Sequence, residues 1–251
     1  MSSYNSFAMV YDKFMSNVPY EMWTDYIIDL IHKYYIKEPK LMLDLGCGTG
    51  NITRLLANKC YDMIGIDNSY EMLSVAKEKS KDTDGDILYL LQDMREFELY
   101  GTVDCIVSIC DSINYILEEQ DLLQVFKLVN NYLDPKGLFI FDLNTCYKYK
   151  NILNDNTFAE TNDESAYIWD NYYYEEESIN EYDLTLFIKD SNNSYHRYSE
   201  THHQRMYELS IIKKLLHEAG LEFVDCFNAF TFEEPNSMSE RVYFIARENG
   251  K

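Results

Sequence analysis

Four short segments of this chain carry residue types and spacings that suit the binding of a polar small molecule. The first is Leu43-Asp44-Leu45-Gly46-Cys47-Gly48-Thr49-Gly50, an apolar run interrupted by an acid and followed by a glycine turn. Glycines let a backbone turn sharply and approach a ligand, and a helix opening just after them presents free N–H groups. A dinucleotide fingerprint would need glycine at position 51, where the chain has Asn51, and a phosphate loop would need Gly-Lys-Ser/Thr, which is missing. With Asp44 two residues ahead of the G-x-G-x-G spacing, the turn suits a ligand with a positive group rather than a pyrophosphate. The second segment is Asp67, with Asn68 and Met72 after it, at the end of the next apolar run. A carboxylate at that strand end can accept both hydroxyls of a ribose. The third is Asp93 with Met94, placed to accept from an adenine amino group and to lie beside its ring. The fourth is Cys110-Asp111-Ser112 with Asn114 and Tyr115, just past a fourth apolar run.

A separate constellation lies in Ser199-Glu200-Thr201-His202-His203-Gln204-Arg205-Met206-Tyr207. On a strand, His203, Arg205 and Tyr207 share one face, while His202, Gln204 and Met206 share the other. One face can turn toward an active site, with His202 or His203 as general base and Arg205 holding a carboxylate or phosphate; the other reading is packing within a small sheet. The Tyr172-Tyr173-Tyr174 run reads as sheet packing or as an aromatic cage for a methylated ammonium. No metal site is expected, because the histidine pair lacks a third ligand and the six cysteines form no Cys-x-x-Cys pair. Buried thiols in a reducing compartment are the simpler reading of those cysteines.

The elements that must position these groups follow from periodicity. Residues 1–38 read as helical, with an apolar stripe at Phe7, Val10, Tyr11 and Phe14 and again at Trp23, Tyr26, Ile27, Leu30, Ile31 and Tyr34, broken near Pro19. From Leu41, short apolar runs alternate with helical segments: strands at 41–45, 63–66, 87–91, 103–109 and 138–143, helices at 51–58, 69–79 and 122–133. The Asn68/Glu71 pair resembles a capping box, and Asp134-Pro135-Lys136-Gly137 reads as a turn. Such alternation implies a parallel sheet covered on both faces. The alternation stops at residue 145, where three Tyr-rich strand-like runs follow (about 166–174, 181–189 and 195–207), with a turn at Ser191-Asn192-Asn193-Ser194. A helix at 208–219 ending at Gly220 and two strands, 221–230 and 242–246, close the chain.

With 251 residues, 46% hydrophobic and 15% aromatic, the composition is that of a globular chain with a sizeable core. No apolar run approaches the ~18 residues of a membrane span, and the first five residues lack the pattern of a secretory signal. A net charge of −21 disfavours sequence-independent binding to nucleic acid. Ten acids and no Lys or Arg lie between Asp155 and Ile188, forming either a solvated face or a field that steers a cationic amine.

Taken together, the Asp44–Gly50, Asp67, Asp93 and Cys110–Tyr115 segments resemble the class I S-adenosylmethionine-dependent methyltransferases, over roughly residues 35–145 and 208–247. The resemblance implies a Rossmann-like α/β fold, a seven-stranded sheet with its last strand antiparallel, helices on both faces and an antiparallel insertion after the fifth strand. It implies a helical cap over 1–38, a cofactor-binding core over 39–145 and 206–251, and a lid over 146–205. S-adenosyl-L-methionine would be held by Asp44, Gly46, Cys47, Gly48, Gly50, Asp67, Asn68, Met72, Asp93, Met94, Cys110 and Asp111. Tyr11 and Trp23 would reach its methionine end, and Tyr115, Arg205 and Tyr207 would face the acceptor. The chain looks most like the small-molecule branch, with its glycine and amino-sugar N-methyltransferases; some amino-sugar members carry a histidine where this chain has Asn114, which joins His202 and His203 as a candidate catalytic residue. The expectation is a cytoplasmic enzyme, compatible with a homodimer, that methylates nitrogen or oxygen of a small molecule. The alternatives are a tRNA or rRNA methyltransferase, a non-catalytic sensor of the same cofactor and, more remotely, a dinucleotide oxidoreductase.

Overall fold

The computed structural model describes residues 12, 15, 18–83, 85–190 and 192–251. Phe7, Val10, Tyr11 and Phe14 of the predicted N-terminal stripe, and Ser191 of the predicted turn, lie outside the described residues.

Alternation of side chains along each strand sorts the core into two layers. On β5 (Leu133–Asn144), Leu138 and Ile140 point to one face of the sheet while Phe139 and Phe141 point to the other. The first face is covered by α1 (Tyr20–Tyr34), which starts directly after Pro19 and buries Trp23, Tyr26, Ile27, Leu30 and Ile31 at helical spacing, and by α2 (Asn51–Asn58). The second is covered by α4 (Glu119–Tyr132) and α5 (Leu209–Glu218), through Leu122, Val125, Phe126 and Val129 and through Ile212, Leu215 and Leu216. The remaining helix of this region, α3 (Tyr70–Lys79), follows β2 (Asp62–Asp67). Its N-cap is Ser69, whose Oγ accepts from the Met72 N–H at 3.2 Å, one residue after the position the capping-box reading favours.

The main sheet has the order β10-β11-β5-β4-β1-β2-β3, with β1 (Leu41–Leu45), β3 (Ile87–Leu91), β4 (Val103–Ser108), β10 (Leu221–Asn228) and β11 (Arg241–Glu248). Strands β1 to β5 pair in parallel, and only β11 runs against its neighbours. This is the Rossmann-like methyltransferase sheet that the strand–helix alternation and the family resemblance predict. The chain order reverses between β1 and β4, so the loops leaving these two strands meet at the carboxyl edge, where open α/β sheets bind ligands. The Asp134–Gly137 turn is absorbed into β5 as a bulge: Leu133 pairs with Val103 and Leu138 with Cys105.

Between β5 and α5 stands a second, antiparallel sheet of four strands rather than three: β6 (Thr157–Thr161), β7 (Ser165–Tyr174), β8 (Ile179–Lys189) and β9 (Tyr195–Arg205). The extra strand, β6, is short and largely exposed, so it has no apolar alternation to read. A π-helical turn over Lys148–Leu153 leads into it. Among the described residues, no helix is long and apolar enough to cross a membrane.

Phe141 stacks on Phe244 at 5.0 Å and on Phe139 at 4.6 Å, so it is the centre of the aromatic layer beneath α4 and α5. Phe141→Ala should lower the unfolding free energy by about 3–5 kcal/mol in a urea titration. A loss under about 1 kcal/mol would show that this layer does not carry the core.

Candidate active site

A cavity of about 850 Å³ opens over the carboxyl edge of the main sheet and under the four-stranded sheet. That is the upper part of the ~300–1,000 Å³ range of small-molecule sites. One end is built from the β1, β2 and β3 termini. Gly46 and Gly48 take φ of +84° and +54°, and a Cβ on Gly46 would lie 2.8 Å from Ser112, so glycine is required there. Gly50, at φ +74°, serves differently: it caps α2 and packs beneath the Tyr89 hydroxyl rather than lining the cavity. Asp67 accepts from the backbone N–H of Gly48 (2.8 Å) and of Ser69 (2.9 Å), which fixes its carboxylate at the cavity wall beside Asn68 and Met72. Asp93 accepts from Arg95 through Nε at 2.9 Å and Nη2 at 2.6 Å, and this guanidinium holds its carboxyl below the usual range. Met94 is beside it on the wall.

Asp44 is buried and accepts from the Thr53 hydroxyl at 2.6 Å; burial pushes its carboxyl up to about 7. Cys47 lines the cavity behind it, and burial pushes its thiol up, so it is no nucleophile. The glycine turn is tied to the N-terminal segment by Asp12, which accepts from Thr49 (2.7 Å) and Asn51 (2.9 Å) and pairs with Lys79 at 2.7 Å.

At the centre, the loop after β4 is bent by two consecutive left-handed residues, Cys110 and Asp111, at φ +63° and +54°. Arg241, buried at the start of β11, donates to Asp111 at 2.5 Å and to Asp142 on β5, and lies 5.2 Å from the Trp23 ring. Asp142 in turn accepts from the Asp111 N–H at 2.9 Å, and Gln204 from β9 donates to the other Asp111 oxygen at 2.6 Å. Trp23, Cys110, Asp111, Gln204 and Arg241 all reach the cavity. Neither Arg241 nor Gln204 is marked by any local sequence pattern, because their partners lie 130 and 93 residues away.

The far end is walled by the second sheet: Tyr167, Trp169, Tyr182, Leu184, Thr201 and His202, facing Tyr115, Ile116, Leu117 and Lys148. The His202 ring stacks on Tyr182 at 4.7 Å; its Nε2 lies 3.3 Å from a Glu200 oxygen and its Nδ1 3.4 Å from the Tyr115 hydroxyl. His203 reaches the rim and pairs with Glu181 at 2.8 Å.

Three sequence expectations at this end need correction. Asn114 is wholly buried and structural: it donates to the Arg205 carbonyl at 2.8 Å and accepts from the Asn144 N–H at 3.0 Å. Arg205 turns away from the cavity and donates to the Leu117 carbonyl at 2.9 Å. Tyr207 is buried in the core with its hydroxyl on the Ile116 carbonyl at 2.5 Å. The face that looks inward is that of His202 and Gln204, set by the β8 register Tyr182↔His202 and Asn180↔Gln204. The Tyr172–Tyr174 run is packing and surface: Tyr173 stacks on Tyr149 at 5.7 Å, and its neighbours are exposed. Tyr11 lies outside the described residues.

The donor set fits a cofactor with a cationic amino-acid end and an adenosine end. The Asp67 oxygens keep lone pairs for ribose hydroxyls, the second Asp93 oxygen keeps one for an amino group, and the buried Asp44 offers a latent negative charge.

Comparison with known proteins agrees with this geometry. A family model described as a methyltransferase domain matches residues 42–137. Over 246 residues the chain is 35% identical to a protein of Geobacillus sp. (strain WCH70) that carries the name of a methyltransferase, covering 98% of this chain and 100% of the relative. A crystal structure of an S-adenosylmethionine-dependent methyltransferase from Clostridium acetobutylicum ATCC 824 superposes with a TM-score of 0.88 at 32% identity, over 99% of this chain and 100% of that one. CalS10, an amino pentose methyltransferase of Micromonospora echinaspora solved with S-adenosylmethionine bound, superposes with a TM-score of 0.75 over 96% of this chain and 97% of that one. At 15% identity that likeness is one of fold.

Two outcomes are expected from calorimetric titration with S-adenosylhomocysteine. Asp67→Ala should weaken binding at least tenfold, as expected when a charge-assisted hydrogen bond worth about 1.5–3 kcal/mol is lost; unchanged affinity would remove Asp67 from the ribose site. Asp44 gives the second. Its carboxyl sits at about 7 in the ligand-free protein, so it is largely protonated below that pH. A cationic ligand beside it favours the carboxylate, so binding at about pH 5–7 should release a proton, and affinity should rise with pH and level off above about 7. Equal binding heats in two buffers of different ionisation enthalpy at pH 6 would contradict this.

Proposed function

The chain belongs to the class I S-adenosylmethionine-dependent methyltransferases, and on that premise we propose that it transfers the methyl group to a nitrogen or oxygen of a small molecule held between the main sheet and the four-stranded insertion. The supporting observation is that one continuous cavity is lined by Asp67 and Asp93, by Asp111 and Trp23, and by Tyr167, Trp169 and Tyr182. In this reading residues 1–38 act as a cap, 39–145 and 206–251 as the cofactor-binding core, and 146–205 as the lid over the acceptor.

When bound, S-adenosylmethionine supplies an activated methyl group on a sulfonium; the residues of the chain hold and orient it and its acceptor. Asp67 and Asp93 fix the adenosine end, and Asp44 balances the charge of the other. The aromatic wall excludes water and aligns the acceptor for in-line displacement, and such alignment is worth much of the rate. His202 is the base: an acceptor N–H or O–H proton passes to its Nδ1, directly or by way of the Tyr115 hydroxyl. Glu200, 3.3 Å from Nε2, stabilises the imidazolium that results. A macromolecular acceptor is opposed by the four-stranded sheet that walls this end and by the net charge of −21. The amino pentose on which CalS10 acts is one small acceptor class that this fold serves.

The test is a screen of amines, hydroxy compounds and organic acids with methyl-labelled S-adenosylmethionine, run beside tRNA and rRNA. Label should enter a small molecule, and label in RNA alone would overturn the reading. With the acceptor so found, His202→Ala should lower kcat by about 10²–10⁴ while S-adenosylhomocysteine affinity stays within threefold. His203→Ala, at the rim, should change kcat less than threefold. Retention of turnover by His202→Ala would remove it as the base.

A further inference from the structure

Lys148 follows β5 on the first residue of the π-helical turn, and its side chain lines the cavity. Its Nζ donates to the Asn144 Oδ1 at 3.0 Å. Among the described residues, no carboxylate lies within 4.0 Å of it: Asp111 and Asp142 are both taken up by Arg241. An ammonium withdrawn from water with a single neutral partner is costly unless something else neutralises it. Burial pulls its pKa below the ordinary lysine range and the neighbouring Arg241 adds to the effect, while Asp111, Asp142 and Glu240 at longer range oppose it only in part. The cavity wall also carries a buried donor with no acceptor, the Trp169 Nε1. The acids of the insertion do not offset this. Among the described residues, none of the ten between Asp155 and Ile188 lines the cavity, so their charge faces outward.

Building on the proposed acceptor site, we infer that Lys148 is the anion subsite of this cavity and that the acceptor is an organic acid, its carboxylate held by the Lys148 ammonium. A monoanion fits better than a phosphate dianion. Asp111, Asp142 and Glu240 already act on Lys148 alongside Arg241, so a second negative charge on the ligand adds repulsion that one ammonium does not offset in a half-buried site. The acidic exterior argues for a cationic amine only by long-range steering, whereas the wall at Lys148 presents that ammonium and the Trp169 N–H beside the buried Glu200–His202 pair.

A carboxylate could reach Lys148 from the acceptor or from the methionine end of the cofactor, and the experiment separates the two. Protein saturated with S-adenosylhomocysteine is titrated with benzoate and 2-naphthoate, and with their neutral amides, benzamide and 2-naphthamide. At least one acid should bind at least tenfold more tightly than its amide. Lys148→Met should abolish that preference, and Lys148→Arg should restore part of it. Neither acid binding better than its amide, or a preference that survives Lys148→Met, would overturn the anion subsite. Lys148→Met is also titrated with S-adenosylhomocysteine and with methylthioadenosine, which lacks the amino-acid end. A tenfold loss for the first alone would assign the ammonium to the cofactor and overturn the acceptor claim. Failure of wild-type protein to bind S-adenosylhomocysteine at all would instead take down the proposed site on which this inference rests.

Discussion

The site depends on one buried charge. Arg241 stands at the start of β11 with Asp111 on one side and Asp142 on the other, and the two acids are joined through the Asp111 N–H. Three ions out of water are expensive unless each is fully bonded, so the arrangement specifies geometry more than it adds stability. It ties the loop after β4 to the ends of β5 and β11, and the guanidinium face meets Trp23 of α1 at 5.2 Å. It also holds Cys110 and Asp111 at positive φ, a conformation that costs non-glycine residues about 1–3 kcal/mol each and persists only where surroundings over-determine it. Gln204 then extends the network from Asp111 into β9, so the insertion is anchored to the residues that shape the cofactor pocket. Helix cap, sheet and insertion meet through this single network.

The cofactor half was legible in the sequence because its signals are local. A strand end, a turn and a helix start fall within about ten residues, and each strand end repeats the logic at Asp67, Asp93 and Asp111. Gly50 kept its place in the motif but not on the wall, because its left-handed backbone is needed to start α2. The acceptor half was legible only as a class of structure. The parity of a strand says which residues share a face and nothing about which face looks inward. That choice falls to hairpin register, here Tyr182↔His202, and it sends Arg205 and Tyr207 away from the cavity. Arg241, Asp142 and Lys148 left no trace in the sequence for a related reason. The partners of Arg241 and Asp142 are distant along the chain, and the π-helical turn that carries Lys148, bonded to Asn144 four residues before it, has no periodicity to read.

The two halves also differ in how firmly they are built. The cofactor end rests on five parallel strands covered on both faces, with most side chains between them wholly buried. The acceptor wall belongs to a sheet whose own core is two buried leucines, Leu184 and Leu186, with partly buried neighbours such as Trp169 and Tyr198. Regions with little buried apolar area open at lower free energy than the global core, so the insertion can part from the sheet while the cofactor pocket stays formed. The tethers that limit it are the Gln204–Asp111 bond, the Tyr149 hydroxyl on Gln204 at 3.1 Å and the Asn114–Arg205 bond, all at the base of β9. Among the described residues, β6 and β7 carry no hydrogen bond to Asp111 or its partners; β7 is held instead through the π-helical turn, by Asn171 on the Asn154 carbonyl at 2.6 Å and by Tyr173 stacked on Tyr149, so the direct ties between the insertion and the Asp111 network run through β9.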